Sequence, residues 1–278
     1  LNIRDFALSD AVCGGSKAGP LPMQLTREPE LIYEHNDFVV VAKPPDLLSH
    51  PTRPDGKPTL LGWLQEKYAG QFMALVNRLD RETSGTVLVA RSPETASRLG
   101  GMTMRREIHK HYLALVTGRV AAEHGVIEAP IGRLGISETN PIWLRRGVIL
   151  PDDDQGRKGA QARTEFWRLA ASAPDAKPPI TLLRLQAHTG RLHQLRVHLA
   201  HIGHSVIGDK IYGPDATLYL KFIAEGWTEE HQRVLGLPRH ALHAHELRFR
   251  WNAEELVFAA PVPEDMKALC REAALDIA

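Results

Sequence analysis

The sequence predicts an α+β protein built on a mixed, mostly antiparallel sheet with flanking helices. Three observations carry that class. Short runs rich in β-branched residues recur along the chain, helical periodicities are scattered among them, and no regular strand–helix–strand alternation organises the two. With 278 residues, 43% hydrophobic and 24% charged, the composition is that of an ordinary globular protein able to bury a sizeable core.

The elements follow in order. Residues 1–30 carry Gly14-Gly15, Gly19-Pro20 and Pro22 with no sustained period, which predicts an extended arm ahead of one domain over 31–278. LIYEHNDFVVVAKP from Leu31 reads as two strands across the turn dipeptide Asn36-Asp37. In residues 59–69, Leu60, Leu61, Leu64 and Tyr68 fall at helical spacing. After a loop through Asp80, GTVLVARS reads as a buried strand. Ser92-Pro93-Glu94 then supplies an N-cap, a proline at the first helical position and an early acid, for a helix running to about Met104. HYLALVTGRV, GVIEAPIG, ARTEFWRLA and ITLLRLQAHTG read as strands, and RLHQLRVHLAHIG as a helix. Residues 216–225 are helical by pattern, ALHAHELRFRW and ELVFAAPVP are strands, and a last helix starts near Glu264.

Several classes are excluded. No run of eighteen apolar residues exists, so no bilayer-spanning helix and no membrane partner are expected. The first thirty residues lack the apolar segment of a secretory leader. Cys13 and Cys270 offer neither metal spacing nor a disulfide framework. A reducing, cytoplasmic setting is the expectation. A net charge of +1 argues against a polyelectrolyte, yet basic groups cluster locally at Arg105-Arg106, His109-Lys110-His111, Arg145-Arg146 and Arg157-Lys158. Such patches fit an anionic partner. The fourteen histidines raise a metal reading. Their spacing does not support it: His193, His198, His201 and His204 spread around a helix, His243 and His245 share a strand face without His240, and no HExxH pattern occurs.

Three regions could carry chemistry. Asn77-Arg78-Leu79-Asp80-Arg81-Glu82-Thr83-Ser84-Gly85 is a polar stretch between two apolar ones, and it lines a cleft edge or forms a turn in which short oxygen-bearing side chains cap backbone N–H groups. In Lys110-His111-Tyr112-Leu113-Ala114-Leu115-Val116, Tyr112 shares a face with Ala114 and Val116, either as a core aromatic or as a functional one beside an ionised carboxylate. From Thr189 to His204, Leu192, Leu195, Leu199 and Ile202 form one helical stripe, with Arg191 and Arg196 on its borders. A border arginine either snorkels to solvent or directs its guanidinium into a partly enclosed site.

Together these regions resemble the RluA family of RNA pseudouridine synthases. The family signature H-R-L-D-x-x-T-S-G is met by residues 77–85 at every position but the first, where Asn77 stands for histidine. Residues 36–51, with Lys43-Pro44 and His50-Pro51, are similar to the family's strand leading into a Lys-Pro and His-Pro loop. Residues 110–116 are similar to K-x-Y-x-A-x-V, and Thr189 to Gly213 to T-G-R-x-H-Q-I-R-V-H followed by G-H-x-x-x-G-D-x-x-Y-G. Leu242-His243-Ala244 and Ala260-Pro261-Val262-Pro263 match the closing landmarks, so the likeness runs in order from about residue 31 to 266.

The resemblance implies a pseudouridine-synthase-like sheet with a central cleft, and an isomerase that breaks the C1′–N1 bond of a uridine, turns the uracil and rejoins it through C5. Such a reaction needs no cofactor and no metal. Asp80 is then the catalytic carboxylate, acting at C1′ or C2′, and Arg196 its charge partner. Tyr112 packs against the uracil and assists loss of the C5 proton. Arg78 stacks in the gap left by the everted base or contacts a phosphate, next to Leu79 in the substrate site. Lys43, Lys110, Arg191, Arg105 and Arg106 are expected on phosphates. Structured RNA, ribosomal or transfer, is the expected partner, with no obligate protein partner. A non-catalytic RNA-binding or ribosome-assembly protein on the same scaffold is the competing reading, and a metal-dependent hydrolase a more distant one. The arm over 1–30 does not resemble the small RNA-binding domain that some relatives carry.

Overall fold

A computed structural model describes residues 28–51, 56–136, 140–153 and 155–277. All but the last three residues of the expected arm lie outside them. The elements are, in chain order, β1 (Glu30–Glu34), β2 (Phe38–Lys43), α1 (Leu60–Lys67), β3 (Ala74–Leu75), β4 (Ser84–Ala90), α2 (Pro93–Met104), β5 (His109–Thr117), β6 (His124–Glu128), β7 (Ile131–Arg133), β8 (Arg146–Val148), β9 (Arg163–Ala171), β10 (Ile180–Ala187), α3 (Gln194–His201), α4 (Thr217–Glu225), α5 (Glu229–Leu235), β11 (Leu242–Trp251), β12 (Glu254–Ala259) and α6 (Glu264–Glu272).

Ten of these strands form one sheet in the order β1-β2-β4-β11-β5-β10-β9-β6, with β12 added on β11 and β3 on β4. Its pairs are antiparallel except β4 with β11, which run parallel with Gly85 opposite Ala244. That parallel seam brings the start of β4, directly after the Asp80 loop, against a strand that is remote in sequence. Gly85 makes the seam possible: its φ is +118° and a Cβ there would lie 2.1 Å from the Ala244 carbonyl oxygen.

Both faces of the central strands are covered, which explains their unbroken apolar runs. Leu60 and Leu64 of α1 pack on Val39, Val41, Val87 and Val89. Leu99 and Met102 of α2 pack on the alternate residues Phe38, Val40, Leu88 and Ala90 of the opposite face. Leu113, Leu115, Leu182 and Leu185 of β5 and β10 pack with Leu195 and Leu199 of α3 and with Met266 and Cys270 of α6. The α2 start is as the sequence predicts, with Ser92 Oγ accepting the Thr95 N–H.

Several elements differ from the reading of the sequence. GVIEAPIG breaks at Pro130: β6 belongs to the large sheet, while β7 pairs with β8 in a separate two-stranded sheet. The short β3, β8 and α5 were not foreseen. Their few residues leave no period, although Thr228 does cap α5 with its hydroxyl. The helix expected from Arg191 begins only at Gln194, because His193 takes a left-handed conformation (φ 58°, ψ 19°). Leu192, placed by periodicity in the buried stripe, is therefore ahead of the helix and exposed.

Candidate active site

The Asp80 loop is tied down from several sides. Asn77 brackets it to β4: its Oδ1 accepts the Leu88 N–H at 2.8 Å and its Nδ2 donates to the Thr86 carbonyl at 3.2 Å. A neutral amide fills both roles at once without an ionisation to suppress, so the residue that departs from the family signature is a structural clamp. Ser49 Oγ accepts the Leu79 N–H and donates to the Leu79 carbonyl. The Asp80 carbonyl accepts the Thr83 N–H at 3.1 Å. The turn and the site are thus not alternatives, because the backbone of Asp80 closes the turn while its carboxylate is left for other partners.

That carboxylate meets Arg196. Nη1 of Arg196 donates to Asp80 Oδ2 at 3.0 Å, and the other side of the guanidinium forks onto Asp209, with Nε to Oδ2 at 2.6 Å and Nη2 to Oδ1 at 2.8 Å. Asp209 is fully buried and also accepts the N–H groups of Ile211 and Tyr212. Its place depends on Gly208 (φ +81°), where a Cβ would lie 1.9 Å from the Arg239 carbonyl oxygen. The Tyr212 ring lies under Arg196, 5.0 Å from Cζ to centroid. Arg196 is thus held in place by a buried anion and presents its remaining edge to Asp80, whose side chain is one quarter exposed.

The electrostatics follow from this packing. Burial raises the Asp80 carboxyl, but His193 where acid pH protonates it, Arg196 and His240 outweigh that and hold the group below its ordinary value. Burial likewise opposes charge on Asp209, and Arg196 more than reverses it. Tyr112, facing the same side of the sheet, has its hydroxyl pushed up to about 12 by burial and by the charge on Asp80. Tyr112 is therefore a protonated phenol at neutral pH.

A second ionic cluster lies behind the loop. Glu82 accepts from Lys210 Nζ at 2.7 Å and from the His240 backbone N–H at 3.2 Å, and the His240 ring bonds Thr83 Oγ1 at 2.7 Å. Arg239, 2% exposed, forks onto Asp265 and donates to the His240 carbonyl. Among the described residues, no three His, Cys, Asp or Glu side chains gather as a set that could hold a metal.

The structure brings Asp80, Arg196 and Tyr112 together across more than a hundred residues of sequence. Arg78 is exposed beside them, with Nη1 3.1 Å from His50 Nε2. Lys110 shares the Tyr112 face, and burial brings its amine down to about 8. Arg191 is exposed ahead of α3, its Nε donating to the Gln161 carbonyl.

The expectation for Lys43 is corrected. Lys43 is 1% exposed, and its ammonium is spent on the carbonyls of Pro44, Leu47 and Arg81, so it braces the loop rather than meeting a phosphate. Leu79 is buried in the apolar cluster under α1 and seats the loop. Arg105 and Arg106 close α2 on the opposite face of the sheet, and Arg105 is chelated by Glu107. Asp209, Tyr212 and His193 were missed as site residues. All three lie in the motifs quoted above, but only the folded chain shows what they touch.

Residues 37–201 match the family model described as RNA pseudouridylate synthase. The chain belongs to that family. The family's class of reaction is the isomerisation of uridine to pseudouridine in RNA. Ribosomal large subunit pseudouridine synthase D of Nitrosomonas europaea is 33% identical over 250 residues, covering 86% of this chain and 64% of that one. The protein of the same name from Vibrio cholerae is 33% identical over 85% of this chain and 68% of its own length. This chain thus spans about two thirds of the length of those relatives. Human RNA pseudouridylate synthase domain containing 4 matches in structure with a TM-score of 0.68, over 89% of this chain and 94% of that one at 22% identity. Human RNA pseudouridylate synthase domain containing 1 gives 0.64 at 24%. At that identity the likeness establishes the shared fold.

Proposed function

We propose that this protein converts specific uridines of a structured RNA, ribosomal RNA of the large subunit before transfer RNA, to pseudouridine, with Asp80 as the carboxylate that acts on the ribose. The observation that carries this reading is a partly open carboxylate kept ionised by an arginine that a second, buried carboxylate holds in place. A module that only bound RNA would have no use for a negative charge aimed at a polyanion. The Asp209 carboxylate is fully buried and cannot activate water, which favours return of C1′ to the base over hydrolysis. Ribosomal RNA is favoured by the names of the most similar relatives.

The everted nucleotide places its ribose against Asp80, which attacks C1′ or takes the C2′ proton as the C1′–N1 bond breaks. The uracil turns against Tyr112, and C1′ bonds to C5 as the Asp80–C1′ bond breaks or, on the other route, as Asp80 returns the proton to C2′; the C5 proton leaves and N1 gains one, so atoms balance without a cofactor. Arg78 fills the gap in the RNA or grips its backbone, and Lys110 and Arg191 contact phosphates. Residues 31–278 act as one catalytic unit preceded by the arm, and the protein works in the cytoplasm, where ribosomes are assembled, with no obligate protein partner. Among the described residues, no helix is long and apolar enough to cross a membrane. The test is pseudouridine mapping in cellular RNA from cells with and without the protein, complemented by wild type or Asp80→Asn. We expect sites that vanish without the protein and return only with wild type. Full restoration by Asp80→Asn would refute the assignment.

A further inference from the structure

The left-handed residue ahead of α3 is not an accident of the turn. His193 is a β-carbon-bearing residue at φ 58°, a conformation that glycine adopts more readily, and its side chain is 9% exposed. That backbone sends the imidazole between two fixed groups. Nδ1 is 2.9 Å from the Tyr212 hydroxyl, and Nε2 is 3.8 Å from Asp80 Oδ2. The Tyr212 oxygen already accepts the Arg146 backbone N–H at 2.9 Å, which leaves its own proton for Nδ1. The ring proton then belongs on Nε2, facing the carboxylate. Both contacts to Asp80 fall on Oδ2, from Arg196 and from His193.

We propose that His193 is a positioning residue for Asp80: a neutral imidazole, fixed as its Nε2–H tautomer by the Tyr212 hydroxyl, steadies Oδ2 together with Arg196 and so presents Oδ1 to the ribose. The proposal rests on Asp80 being the reacting carboxylate and assigns a task to a side chain that the reaction scheme leaves unused. The charged or titratable groups facing the ring are Asp80, Arg196, Asp209, Tyr212 and His240. Burial first, then the positive charge of Arg196, brings His193 down to about 4, so it stays neutral across the working range. The 3.8 Å separation closes to a hydrogen bond when RNA seals the site. A neutral imidazole is the right donor here, because it steadies the anion without competing with Arg196 for a full charge.

The tautomer is read without RNA. Nitrogen NMR of the full chain labelled in histidine should give an Nε2–H signal for His193 that becomes a mixture of tautomers in Tyr212→Phe. An Nδ1–H imidazole in the wild type would overturn the proposal by itself. Activity is read as the single-turnover rate on an unmodified large-subunit ribosomal RNA transcript, with affinity for the same transcript measured in parallel. His193→Gly relieves the backbone but gives up the hydrogen bond to Tyr212, so its folding is checked by melting at the assay temperature; the folded variant should bind RNA within about threefold, yet react about 10- to 100-fold more slowly, the loss expected for one hydrogen bond to a charged group. His193→Gln, which returns an N–H near the position of Nε2, should recover most of that loss. Equal rates for wild type and His193→Gly would refute the role. Absence of pseudouridine with the wild-type chain on cellular RNA would instead strike at the functional reading, and the tautomer measurement would still stand.

Discussion

At the scale of single residues, two basic side chains that look alike in sequence behave in opposite ways. Arg196 is buried and reaches outward, because Asp209 neutralises it and orients its fork. Lysine cannot reproduce that geometry. Arg196→Lys should therefore lose its grip on Asp209 and let the Asp80 carboxyl rise toward its ordinary value. The acid limb of the pH–rate profile then moves to higher pH and the rate falls about 100-fold, as expected when a charge-assisted contact at the reacting group is lost. Lys43 is buried and reaches inward, with burial bringing its amine down to about 7. Lys43→Met would orphan the carbonyls of Pro44, Leu47 and Arg81. A loss of roughly 2–3 kcal/mol in denaturant unfolding is expected. The salt dependence of RNA binding should stay unchanged, whereas loss of a phosphate contact would lower its slope by about one.

At the scale of elements, the decisive contact is the parallel seam of β4 and β11. The Asp80 loop enters β4 where Gly85 touches Ala244, so the distance between these strands sets the distance from Asp80 to everything carried by β5 and α3. Gly85→Ala places a methyl 2.1 Å from a backbone oxygen in a left-handed conformation. About 3 kcal/mol or more of stability should be lost, measured by denaturant unfolding, and activity should fall with it. Gly100→Ala is the control: it sits within α2 with nothing inside 4 Å of the added carbon, and should stabilise by about 0.5–1 kcal/mol.

At the scale of the whole molecule, the fold concentrates its buried charge in one place. Glu82, Lys210 and His240 tie the loop before β4 to the segments flanking α4, α5 and β11. Burial opposes ionisation of Glu82, but His240 and Lys210 outweigh it and bring the carboxyl from 4.5 down to about 2. A carboxylate depressed in the folded state stabilises the fold fully above its unfolded value, and that contribution disappears as pH falls through the folded one. Glu82 should thus contribute about 3 kcal/mol at neutral pH, lost between about pH 4.5 and 2. Urea unfolding across that window should show the slope in wild type and a shallower one in Glu82→Gln.

The amino-acid order alone determined the strands with β-branched runs, the capped helix after Ser92 and the closing helix, because periodicity and capping chemistry are local and survive in one dimension; its motifs, through the family resemblance, singled out Asp80, Tyr112 and Arg196 as candidates. Tertiary structure decided which way each charge faces. Lys43 and Lys110 stand on strands with equal claims on a phosphate, and only the depth of packing separates a brace from a cation beside the site. The left-handed turn at His193, the fork of Asp209 and the clamp made by Asn77 were equally beyond reach. Each depends on partners between nine and more than a hundred residues away, whose position is set by burial of the sheet and not by neighbouring sequence.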